Sequence, residues 1–129
     1  MAPPVPVTPR KLNSDERAVL EKVLSARFPG ADGLKAQLDA CEVVAQWAED
    51  SVSVDIQPTP AAVPAADAVN GPAPAVAVVQ GLPGDDLLLE GEILVWVAGG
   101  YLSGIEYAWF GDAMPTRLPS ADRITIEVE

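Results

Sequence analysis

The sequence contains no histidine and a single cysteine, Cys41. Without an imidazole, Ser-His and Cys-His nucleophilic catalysis and His-ligated metal sites are excluded together. One thiol excludes an internal disulfide and fits a reduced, cytoplasmic setting. No apolar run approaches the ~20 residues that a membrane helix needs. Aromatic residues make up only 5%, so the 49% hydrophobic content is mostly Ala, Val and Leu. That is still too apolar for a chain that stays disordered. The 129 residues suit one domain, large enough to bury about two-thirds of its unfolded surface.

Basic residues are the most unevenly missing. Net charge is −11, from 19 acids against 8 bases, and residues 36–116 hold twelve of the acids and no Lys or Arg. Six of the bases fall in residues 1–35, and the last two are Arg117 and Arg123. Carboxylates without local partners repel nucleic acid and anionic membrane and steer a basic protein inward. The plainer reading is that the acids keep an Ala/Val-rich chain soluble.

Along the chain, residues 1–12 open with four prolines and no apolar period, which predicts a solvated Pro-rich flexible arm without a secretory signal pattern. Residues 13–129 read as a single domain. Asn13 with Glu16 three residues on suggests a capping box, and Leu20, Leu24 and Phe28 form a helical stripe ended by Pro29-Gly30. A second helix is expected from about Asp32, with Leu34, Leu38 and Cys41 on one side. The period then changes to two. Val43, Ala45 and Trp47 alternate, a turn falls at Glu49-Asp50, and Val52, Val54 and Ile56 alternate in return. Residues 57–74, with five prolines, read as an irregular Pro/Ala-rich insertion. A short strand around Val76 and Val78, a long one from Leu87 to Val97, a Gly99-Gly100 turn, a return strand from Tyr101 to Phe110 and a closing strand with Ile124, Ile126 and Val128 complete the pattern. The expected fold is α+β: two N-terminal helices packed on an antiparallel sheet of five or six strands.

With Gly99-Gly100 as the turn, Val97 falls opposite Leu102 and Trp96 opposite Ser103. One face of the hairpin then carries Ile93, Val95, Val97, Leu102, Ala108 and Phe110, and the other Leu94, Trp96, Ile105, Tyr107 and Trp109. Two helices can cover only one of these. The second face is either further core or a binding face, and Trp and Tyr are the residues that dominate binding hot spots. Its candidate partner-binding residues are Trp96, Tyr107 and Trp109, with Asp85, Asp86, Glu90, Glu92 and Glu106 as an acidic rim.

Other chemistry is poorly supplied. Acid pairs such as Glu49-Asp50 or Asp85-Asp86 arise by chance in so acidic a chain. No calcium loop and no Gly-rich phosphate loop is present. Ser51, Ser53 and Ser103 have no visible base, and Cys41 reads as a buried thiol. The sequence therefore predicts a non-enzyme without catalytic, cofactor or metal residues.

Several segments resemble a group of small uncharacterised actinobacterial proteins, immunity-protein-like in size and build. The matching pieces are Asp15-Glu16-Arg17, Phe28-Pro29-Gly30-Ala31, Val43-Val44, Ser53-Val54-Asp55, Leu102-Ser103, Gly111-Asp112, Pro115-Thr116 and Leu118-Pro119. Those proteins often carry a cysteine cluster in the first hairpin, where this chain has Gln46 to Ser51 and no cysteine. The base-free acidic segment and the aromatic hairpin, in a chain of immunity-protein-like size and build, make the expected function an immunity or antitoxin-type inhibitor that occludes a basic partner such as a nuclease or nucleic-acid-modifying toxin. The competing expectation is a structural or self-assembling subunit that uses the second apolar sheet face, a possible homo-oligomer.

Overall fold

Asn13 begins the ordered helical layer as a full capping box. Its side chain accepts from the Glu16 backbone N–H at 2.8 Å, and the Glu16 carboxylate accepts from the Asn13 N–H at 2.9 Å. Two otherwise unsatisfied donors are met at once. The computed structural model describes residues 3–82, 84 and 88–128. Helix α1 spans Ser14–Leu24 and helix α2 spans Ala31–Lys35. Helix α1 ends earlier than its apolar stripe suggests, because Ser25 caps it and the chain turns before Pro29. Cys41 is the first residue of a strand and not part of a helix.

Among the described residues there are eight strands, six at the predicted alternations and two more. They are β1 (Val5–Arg10), β2 (Cys41–Gln46), β3 (Val54–Pro58), β4 (Gly71–Pro72), β5 (Ala75–Gln80), β6 (Leu89–Ala98), β7 (Tyr101–Trp109) and β8 (Ile124–Val128). Seven lie in the antiparallel order β1-β2-β3-β7-β6-β5-β8, and β4 pairs with β6. The α+β class and the two N-terminal helices agree with the sequence reading. The strand number does not, because β1 and β4 are proline-bearing segments that alternation cannot flag. Residues 5–10, expected as a solvated arm, are an edge strand paired with β2. Pro6 and Pro9 are tolerated there because an edge strand needs only half of its backbone donors.

Both helices pack on one face of the sheet. Val19, Leu20, Val23, Leu24, Leu34 and Leu38 join Val43, Ile56, Ala77, Val79, Ile93, Val95, Leu102 and Ile105 in one core. Fully burying a side chain such as Leu20 or Ile93 contributes about 1.5–3 kcal/mol. The insertion closes one end of this layer. Ala65 is buried, its N–H donates to Gly100 O at 2.8 Å, and the Asn70 side chain accepts from the Gly99 N–H at 2.8 Å. Gln37 is the common tie. Its amide donates to Val63 O and Gly100 O and accepts from the Leu102 N–H, all within 2.8–2.9 Å.

The β6–β7 hairpin turns at Gly99-Gly100 as predicted, both glycines having positive φ. Val97 does face Leu102, but Trp96 faces Gly104 instead of Ser103. One extra residue on β7 makes a bulge, and every later side chain changes face. Ile105 and Tyr107 therefore point into the core beside Val95 and Ile93, and Ala108 moves to the opposite face.

Candidate interaction site

The face opposite the helices carries Glu42, Val44, Asp55, Val76, Val78, Glu92, Leu94, Trp96, Glu106 and Ala108, all half-buried. Its centre is a row across three strands. Asp55 pairs with Gly104, and Gly104 pairs with Trp96. Trp47 follows β2, where its backbone N–H donates to Ser53 O. Its indole Nε1 donates to Asp55 Oδ1 at 3.1 Å, which places the ring beside that row. The Trp96 Nε1 donates to Glu106 Oε1 at 3.1 Å. Each ring is thus held by a carboxylate, and each bond uses one oxygen of that carboxylate.

Gly104 makes the middle of the row a groove. A Cβ there would lie 3.1 Å from Val54 O, 3.8 Å from the Trp96 Cβ and 3.9 Å from Asp55 Oδ1. In its absence a groove of about 320 Å³ remains, lined by Trp47, Asp55, Trp96, Ser103 and Gly104. A second groove of about 270 Å³ shares Trp47 and is bordered by Glu106, Ala108, Trp109 and Met114. All three tryptophans of the chain border one groove or the other. Strands β2 to β8 contain no Lys or Arg, so nothing on them neutralises Asp55, Glu92 and Glu106.

The predicted residues divide accordingly. Glu92, Trp96 and Glu106 share the open face: Leu94 pairs with Glu106, and Glu92 lies between Ala108 and Val78. Tyr107 is corrected from the binding face to the core, 4% exposed, because the bulge reverses its direction. Its backbone N–H is taken by the buried Ser53 hydroxyl at 2.9 Å. Trp109 is corrected with it: at the end of β7 it pairs with Gly91, on the side of Ile93 and Tyr107 and not of Trp96, and is 38% exposed. Glu90 is turned away into an ion pair with Arg123. Asp85 and Asp86 lie outside the described residues. The sequence reading missed Trp47, Asp55, Ser103 and Gly104 as site residues. A glycine inside a strand pattern was the available signal for the bulge.

A separate open cleft of about 690 Å³ lies beside the end of β7, bordered by Tyr107, Trp109, Arg117 and Arg123. Both arginines are already committed. Arg117 donates to the Asp15 carboxylate at 3.0–3.2 Å, and Arg123 is bound by Glu90 and Gln80 O. Burial, together with the nearby Glu90 charge, pushes the Tyr107 hydroxyl above its usual range. Burial also pushes the Cys41 thiol up to about 11, where little thiolate forms at neutral pH.

No family model, curated protein or solved structure matches the chain. Among the described residues, no group of three or more Cys, Asp or Glu is placed to hold a metal ion. No helix among them is long and apolar enough to cross a membrane.

Proposed function

We propose that this protein is a non-enzymatic protein-binding module whose open sheet face docks a basic partner. The single observation that carries the reading is the Asp55–Gly104–Trp96 row with Trp47 beside it, on strands that supply acids and no bases. Anchored aromatic rings supply contact area at little further ordering cost, and the surrounding carboxylates guide and register a cationic surface. The finer form of the proposal is an immunity or antitoxin-type inhibitor. Its carboxylates would occupy the basic groove of a nuclease or nucleic-acid-modifying toxin where phosphate would sit. The same charges disfavour nucleic acid and anionic membrane as ligands.

Self-assembly through this face is the weaker reading. A two-fold pairing would bring the face against its own copy, setting Asp55, Glu92 and Glu106 against identical carboxylates. The decisive experiment compares the wild type with the triple variant Asp55→Asn, Glu92→Gln, Glu106→Gln in capture from host lysate at low and high salt. A basic protein held by the wild type and lost by the variant is the expected result. Equal capture by both, or capture of nothing but the protein itself, overturns the proposal.

A further inference from the structure

We infer that the groove between Trp47 and Trp96 receives a single arginine side chain of the partner. This rests on the binding-module reading and names the chemistry at its centre. The walls are two indoles, each already fixed by an N–H bond to a carboxylate, so little freedom remains to be lost on binding. The floor is the bare backbone of Gly104, with Ser103 and Asp55 at the margin. The Asp55 bond to Trp47 engages Oδ1, and its charge faces a groove without a cation of its own. The chain's own arginines are elsewhere. Arg10 pairs with Glu16, Arg17 with Glu21 and Asp39, Arg117 with Asp15 and Arg123 with Glu90, and Arg27 stands beside α2.

Guanidinium fits these walls on three counts. It is planar, so it stacks on an indole face. It is weakly hydrated, so it leaves water readily. Its N–H groups donate in the plane while its face is covered, which suits a carboxylate at the groove margin. An ammonium is compact and strongly hydrated and gains less from the rings. An apolar side chain would cover Asp55 without giving it a further donor, and an anion would meet the Asp55 carboxylate.

The test uses the whole ¹⁵N-labelled protein, whose three tryptophans give three indole N–H signals. Titration with Nα-acetyl-arginine amide is expected to move the Trp47 and Trp96 signals and leave that of Trp109 in place. The lysine analogue should bind about two- to fivefold more weakly. Asp55→Asn keeps an oxygen for the Trp47 indole and should weaken the arginine response. Trp47→Ala, which removes one wall at the end of a strand, should abolish it, with the rest of the amide spectrum reporting an intact fold. No movement of the two signals, equal response to both probes, or full response in both variants overturns the inference. If the probe fails while the triple charge variant still loses the partner, only the arginine assignment falls. If both fail, the binding-module reading falls with it.

Discussion

Gln37 shows how much one side chain can hold. It is 2% exposed and meets Val63, Gly100 and Leu102, residues 26, 63 and 65 positions away. Gln37→Leu keeps the bulk and leaves one buried N–H and two carbonyls without that partner. The expected loss is about 2–3 kcal/mol, read as a lower urea midpoint with an unchanged slope. Cys41 makes a second prediction at this scale. Its thiol, raised from 9.0 to about 11 by burial, stays protonated in the fold at pH values where the unfolded chain has released the proton. Cys41 therefore contributes full stability below about pH 9, lost as pH rises toward about 11. Tyr107, raised by the same cause, adds a loss of the same sign at alkaline pH. Denaturant midpoints measured from pH 8 to 11 should fall through this range, and replacing Cys41 by Ala should flatten part of the fall.

Between elements, the Arg10–Glu16 pair holds the edge strand to the helical layer. Both terminal guanidinium nitrogens of Arg10 donate to the Glu16 carboxylate, at 2.8 and 2.9 Å, and Glu16 is 3% exposed. This bonding holds the Arg10 guanidinium more firmly protonated than usual. Glu16→Ala removes the strand's anchor and half of the capping box. A stability loss of about 1–3 kcal/mol is expected, with hydrogen-exchange protection lost first at Val5, Val7 and Thr8.

The same scale shows what the sequence could reveal. Asn13 and Glu16, three residues apart, announced the start of α1, and the alternation at Val54–Ile56 announced β3. These signals are local. β1 was illegible because Pro6 and Pro9 break every strand pattern except that of an edge, and only the finished sheet says which strand is the edge. Face assignment failed for a related reason. One inserted residue near Ser103 and Gly104 sends Tyr107 into the core, and alternation carries no count of bulges. Part of the candidate site was therefore readable. Trp96, Glu92 and Glu106 were named, but Trp47 and Asp55 come from another hairpin and meet Trp96 only through the order β3-β7-β6.

For the whole molecule, charge is distributed by layer. The sheet from β2 to β8 has no base, and six of the eight bases belong to residues 1–35. Neutralising Asp55, Glu92 and Glu106 together changes net charge from −11 to about −8 and acts on one face. Association with the proposed basic partner should slow by about tenfold at low salt and become less salt-dependent, measured by stopped flow over a range of ionic strength. The helical layer should be indifferent. Replacing Lys35 by Gln, a change on the far side, should leave the salt dependence nearly as it was.

The same division decides how the molecule can be handled. Its only lysines are Lys11, Lys22 and Lys35, beside or within the two helices, so side-chain amine chemistry reaches only that layer. Attachment to a sensor surface through lysine would hold the protein by its helices and turn the tryptophan grooves toward solution. Amine-to-amine cross-linkers would in turn pass over a partner seated on the sheet. A carbodiimide, which joins carboxylates to amines directly, would tie Asp55, Glu92 or Glu106 to that partner's lysines.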